Sequence, residues 1–223
     1  MSEPTGILSD RQILEEYSKG NIVIFPFNPE QPKNLGNASL DITLGPHFYR
    51  KNPAYHGEHG GFVNPFCSTD VRNYWGSPQK ASKIEDLFTS RTYNLPVDSE
   101  FIVLNPHETI LVHSNEYVGA RRGVNTLCRP RSTLGRAGIS VITGGYGDVG
   151  FFSRWTLALH NNTNLIMILP VGERICQIVF FWAGETNKNY TERGQYQTSN
   201  NLEEVIRNWT PDAMLPNAPK PPK

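Results

Sequence analysis

Hydrophobic residues in this chain gather in short runs rich in β-branched and aromatic side chains, and a helical period shows only near its two ends. The runs read "NIVIFPF", "SLDITLG", "EFIVLNP", "TILVHS", "ISVIT", "RWTLALH", "LIMILP" and "RICQIVFFW". Gly, Pro and Asn turns separate them at intervals of roughly ten residues, the mark of antiparallel strands. The pattern predicts an all-β barrel or double-sheet roll rather than a parallel α/β sheet. At the start, "LSDRQILEEYSKG" predicts a short helix, with Ser9 as N-cap, Gln12 in the capping-box position and Gly20 at the end. Leu8 can staple to Ile13 across its first turn. Near the C-terminus "NNLEEVIRNW" predicts another helix, with Asn200 and Glu203 in the box positions.

Between Lys51 and Leu95 the pattern fades into a polar, turn-rich excursion from the barrel, with a short helix expected at Ser82 to Phe88. Residues 1–200 then read as a single β domain carrying the 51–95 excursion. Residues 201–223 read as a short helix followed by the proline-rich "TPDAMLPNAPKPPK", a composition expected to stay disordered.

Composition narrows the partners. The chain has 223 residues, with Lys+Arg and Asp+Glu both 21, so no basic excess exists to hold a nucleic-acid backbone. Nowhere do 18 apolar residues run together, and the start has no signal-like apolar core, so no membrane partner is expected. Cys67, Cys128 and Cys176 lie far apart without a CxxC pair, which points to reduced thiols in an intracellular, cytoplasmic protein and to no zinc site.

Two stretches hold candidate chemistry. In "RPRSTLGRAG", residues 129–138, arginine forks and hydroxyls sit beside turn backbone and suit phosphate oxygens. In "ITGGYGDVGFF", residues 142–152, glycines can shape a hairpin around a flat ligand. Asp148 at its end can hold a hydroxyl or a water, and Phe151 can stack on a sugar.

In order, "ASLDITLG", "PRSTLGRAG", "GGYGDVGF", "TLALHN" and "GERICQIVFF" resemble the dCTP deaminase/dUTPase superfamily from about Leu8 to about Gln197. The N-terminal helix, "ASLDITLG" and "GQYQ" at 194–197 look closer to the dCTP deaminase branch. The resemblance implies a distorted, jelly-roll-like β-barrel that assembles as a homotrimer with active sites shared between subunits. It implies phosphate-binding roles for Arg131, Ser132 and Gln177, and a sugar-binding and water-orienting role for Asp148. Phe151 would pack on the sugar, Arg136 would lie near the base, and Gly144 and Gly145 would shape the hairpin around a pyrimidine. Asp41 matches an aspartate that helps to hold Mg²⁺-bound water. The implied ligand is a deoxypyrimidine nucleotide, dUTP or dCTP, with Mg²⁺ on its triphosphate and no zinc.

The chain departs from that pattern at Ala158, where the deaminase branch carries the glutamate that activates water at C4 of cytosine. A methyl group cannot move a proton, and losing a general acid/base removes about 10²–10⁴ in rate. His160 shares a strand face with Ala158 but lies about 7 Å along, at ~3.3 Å per residue, and reads as a structural hydrogen-bonding residue. Gln195 replaces a triphosphate lysine of "GKYQ", with Arg193 as a neighbouring cation. Three readings follow. The first is a dUTP diphosphatase, in which Asp148 directs water at the α-phosphate. The others are a dCTP deaminase with a substitute base, and a non-catalytic nucleotide-binding or structural trimer.

Overall fold

The computed structural model describes residues 5–57, 61–83, 98–192, 194–197 and 199–216. The first helix, α1 (Asp10–Ser18), starts at the expected cap: Ser9 Oγ accepts from the Gln12 amide, and Gln12 Oε1 accepts from the Ser9 amide at 2.9 Å. Leu8 and Ile13, the staple pair, are both fully buried in the core.

Twelve strands are described: β1 (Ile22–Phe25), β2 (Leu40–Arg50), β3 (Gln79–Lys80), β4 (Ser82–Lys83), β5 (Glu100–Leu104), β6 (Thr109–Ala120), β7 (Val124–Pro130), β8 (Ile139–Ile142), β9 (Tyr146–Gly147), β10 (Phe152–Asn161), β11 (Met167–Pro170) and β12 (Arg174–Trp182). Helices α2 (Ser68–Trp75), α3 (Ser132–Arg136) and α4 (Leu202–Asn208) join them. The main sheet runs β8-β10-β6-β2-β12-β7-β9, with β1 also on β6 and β3 on β2; a small sheet runs β11-β5-β4. Its register pairs are antiparallel throughout.

The main sheet is a curled half-barrel, and the stretch from Ile142 to Tyr146 explains how it curls. The expected hairpin is absent there: β8 pairs with β10, whereas β9 pairs with β7, the opposite end of the sheet. Three residues join the two edge strands, so the edges lie within about 14 Å of each other at 3.3–3.6 Å per residue. Gly145, at φ +75, turns the chain between them, a conformation that a side chain resists. Its carbonyl accepts from the Cys128 amide of β7 at 2.7 Å. The glycines serve a crossing between edges.

The core follows strand alternation. Along β10, Trp155, Leu157 and Leu159 are buried while Thr156, Ala158 and His160 are only half-buried, a period of two. The main core also takes Ile42 and Leu44 of β2, Val112 and Val118 of β6, and Ile178 and Phe180 of β12. A second, smaller cluster forms on another face from Tyr49, Val71, Leu111, Met214 and Leu215, with Ala158 packed against it.

That cluster corrects the expectation of a disordered tail for its first part, while residues 217–223 lie outside the described residues. Pro211–Met214 form a 3-10 turn, and Met214 and Leu215 are buried. Two apolar side chains find an apolar face, which proline content alone does not reveal. The preceding α4 is capped one residue later than expected, by Asn201, whose Oδ1 accepts from the Glu203 and Glu204 amides. Ser82–Lys83 is a strand instead of the start of a helix, and the rest of that expected helix lies outside the described residues.

Candidate functional site

Asp148 follows β9 and opens a tight turn. The Phe151 amide donates to the Asp148 carbonyl at 3.0 Å. The Gly150 amide donates to the Ala120 carbonyl at 2.9 Å, and the Ala120 amide returns a bond to the Phe151 carbonyl at 3.0 Å. Buried Gln197 braces the same turn, accepting from the Phe152 amide at 2.6 Å and donating to the Gly150 carbonyl at 3.0 Å. The Phe151 ring stands edge-on to Trp155 at 5.5 Å and to Tyr190 at 5.2 Å. These contacts fix the aromatic ring while leaving the Asp148 carboxylate exposed, with no hydrogen bond or ion pair among the described residues.

A cavity of about 450 Å³ opens beside this turn. Gly144, Gly145, Tyr146, Asp148 and Phe151 line it from the crossing, Thr156 and Ala158 from β10, and Tyr190, Tyr196, Ala213 and Met214 from the C-terminal part. Its volume is in the range of small-molecule sites. One side of it is a row across the sheet. Ala158 of β10 pairs with Ile142 of β8 and Leu111 of β6, and Leu111 pairs with Tyr49 of β2. Paired residues project to the same face, so the row is continuous and apolar. The position that the resemblance associates with a glutamate is here inside that row.

Behind the cavity stands a stack of rings. Arg154, which lines the cavity, lies over Trp209 at 4.5 Å and Tyr117 at 5.0 Å. Trp209 meets the fully buried His113 at 4.7 Å. His113 Nε2 accepts from the His47 amide at 3.2 Å while Nδ1 donates to the Ser114 carbonyl at 2.8 Å, an arrangement that needs the neutral ring. Burial pushes its pKa down to about 4, and the charge of Arg154 adds to the fall. His160, by contrast, is tied to Thr109 Oγ1 at 2.9 Å and does not line the cavity. It makes the hydrogen bond expected of it.

The expected phosphate residues sit elsewhere. Asp41 of β2 is buried, and its Oδ2 receives Arg131 Nη1 together with Arg174 Nη1, the latter at 3.0 Å. Gln177 of β12, the register partner of Asp41, donates to Ser39 Oγ at 3.4 Å. Ser132 and Arg136 are exposed at the two ends of α3. None of Asp41, Arg131, Ser132, Arg136 and Gln177 lines the Asp148 cavity. Thr126 pairs with Gly147, so Arg131 lies six positions along β7 from the level of Asp148, roughly 20 Å at ~3.3 Å per residue. One chain therefore holds the two expected groups of residues apart.

Sequence reasoning missed Arg174, Met214, Tyr190 and the Arg154–Trp209 stack. Arg174 could have been found, since it shares a strand with Gln177 at a spacing that a bulge between Arg174 and Cys176 adjusts. The others depend on how the C-terminal segment returns over the sheet.

Residues 7–183 match the family model described as dCTP deaminase-like. Among curated relatives, the dCTP deaminase, dUMP-forming, of Dictyoglomus thermophilum is 32% identical over 176 residues, covering 78% of this chain and 79% of the relative. The protein of that name from Methanobrevibacter smithii is 30% identical over 175 residues, covering 78% of this chain and 79% of the relative. Among solved structures, 2′-deoxycytidine 5′-triphosphate deaminase from Agrobacterium tumefaciens aligns with a TM-score of 0.54 at 20% identity. The alignment covers 80% of this chain but 49% of that one, so this chain spans about half the length of that neighbour. Sequence and fold converge on one conclusion: the chain belongs to the dCTP deaminase-like family.

Proposed function

We propose that this protein binds deoxypyrimidine triphosphates and hydrolyses dUTP to dUMP and pyrophosphate. Making dUMP from dCTP, as the relatives' names state, takes two chemical events: replacement of the base amine by oxygen, and cleavage of the triphosphate. The first needs a proton shuttle at the base, and Ala158 with its apolar neighbours Ile142 and Leu111 offers none. The second rests on positioning and charge, which an absent glutamate does not remove. Asp148 would hold the sugar hydroxyl and the attacking water, and Phe151, fixed by Trp155 and Tyr190, would pack on the sugar. The observation that carries this reading is the meeting of Asp148, Phe151 and Ala158 in one cavity.

Arg131, Ser132 and Gln177 would grip the phosphates from a neighbouring subunit, because in a single chain they lie away from the Asp148 cavity. A homotrimer with shared sites satisfies that requirement. Among the described residues no three His, Cys, Asp or Glu side chains gather to hold a metal. Magnesium would arrive on the triphosphate, where it neutralises charge on the phosphate oxygens. Asp41 Oδ1, buried and without a hydrogen-bond partner, is the carboxylate oxygen fitted to one of its waters.

Incubating the protein with dUTP and with dCTP in Mg²⁺, followed by chromatography, tests the reading. We expect dUMP from dUTP and unchanged dCTP. Conversion of dCTP would restore the deaminase reading, and no product from either would leave a nucleotide-binding protein on an enzyme's frame.

A further inference from the structure

We propose that the C-terminal turn Pro211–Met214 walls the cavity and selects a deoxypyrimidine nucleotide whose base carries an alkyl or alkynyl group on its C4–C5 edge. The inference deepens the nucleotide reading and rests on it. Met214 lines the cavity and packs in one cluster with Leu111, against which Ala158 also lies. With Ile142, these side chains present neither a hydrogen-bond donor nor a strong acceptor. The C5 position of the base, which carries no polar group, can face that surface without giving up a hydrogen bond. An apolar substituent gains burial in the same place. Methionine suits the task, because its unbranched thioether adapts to different shapes.

The wall is held at two points just before Met214. The Tyr49 hydroxyl donates to Asp212 Oδ1 at 2.7 Å, and Arg72 pairs with Asp212 Oδ2 at 3.3 Å. Three residues earlier, Trp209 packs against both the Arg154 guanidinium and the His113 ring. Tyr49 is the next member of the same cross-strand row as Leu111 and Ala158, so the latch and the wall share one face of the sheet. The segment lies beyond residues 7–183, the part that matches the family model. Asp148 supplies the polar end of the cavity, where a sugar hydroxyl can donate to its carboxylate.

Calorimetric titration of the full chain in Mg²⁺ with the α,β-imido triphosphates of deoxyuridine and 5-propynyl-deoxyuridine tests the wall. The propynyl compound should bind roughly tenfold or more tightly, the usual discrimination for added carbons in an apolar pocket. Met214→Ala should shrink that ratio to about threefold or less, whereas Met214→Leu should keep it. If Met214→Ala unfolds in a thermal melt, Tyr49→Phe, which removes the latch bond but keeps Met214, should lower the ratio in its place. A ratio near one in the native protein, or one untouched by both variants, overturns the wall while leaving the nucleotide reading standing. Failure of both compounds to bind overturns the nucleotide reading and the wall with it.

Discussion

Two aspartates divide this molecule. Asp41 is buried at the centre of a sheet and holds two arginines on one oxygen. Asp148 is exposed at the edge of a cavity, where the backbone around it is tightly bonded and its carboxylate is left open among the described residues. Removing a partner from a buried pair leaves uncompensated charge. Removing an exposed, unpaired carboxylate leaves the fold almost untouched. The contrast teaches that the fold neutralises one carboxylate internally and leaves the other open to the cavity.

The sharpest break of that contrast is Asp148→Asn. Hydrolysis of dUTP should fall by about 10²–10⁴, while stability should stay within about 0.5 kcal/mol and the assembly should persist. Turnover at the native rate would remove Asp148 from the mechanism. Next comes Gly119→Ala, on β6 behind the Asp148 turn. An added Cβ there would stand 1.9 Å from the Phe151 carbonyl oxygen and 2.6 Å from Phe152 Cα, both backbone atoms. We expect about 3 kcal/mol of destabilisation and loss of nucleotide binding, read from chemical denaturation and calorimetry. Asp41→Asn, unlike Asp148→Asn, should destabilise the fold. Its cost should be about 2 kcal/mol, below that of a fully buried pair because half-exposed Arg174 regains water. A melt unchanged by this substitution would make the Asp41 cluster an accessory to binding alone.

The smallest effect is a pH dependence behind the cavity. Folding lowers the His113 pKa from 6.5 to about 4, so between those values the unfolded chain binds a proton that the folded one refuses. Stability from this group is thus full above pH 6.5 and is lost as pH falls toward 4. Between pH 7 and 5.5 the loss should be about 1 kcal/mol. His47, also lowered by burial, acts in the same direction. Denaturation midpoints across that range check it, and a flat profile would mean that the His113 pocket opens to water.

Much of the fold was legible because strands advertise themselves. Every apolar run quoted from the sequence falls on a strand, and the Ser9–Gln12 box caps α1 as written. The crossing at Thr143–Gly145 was read as a hairpin because glycine-rich turns between apolar runs usually make one. Nothing local says that β8 and β9 sit at opposite ends of a sheet. The tail was misread for a similar reason. Proline-rich composition argues against a core of its own, but Met214 and Leu215 needed only a face offered by Tyr49, Val71 and Leu111. Asp148, Phe151, Gly144, Gly145 and Ala158 were named from motif order and do meet in one cavity, whereas Arg131, Ser132, Gln177 and Arg136 do not join them.

Local chemistry settled what depends on neighbours in sequence: the capped helix, strand alternation along β10, and an alanine that cannot carry a proton at 158. Tertiary structure alone decided what depends on residues far apart in the chain. It put Asp41 between Arg131 and Arg174, kept Arg131, Ser132 and Gln177 away from the Asp148 cavity, and laid Met214 over the row of Leu111 and Ala158. The reason is that burial and charge pairing act across space, and a sheet curled through Gly145 brings together positions that no local pattern connects.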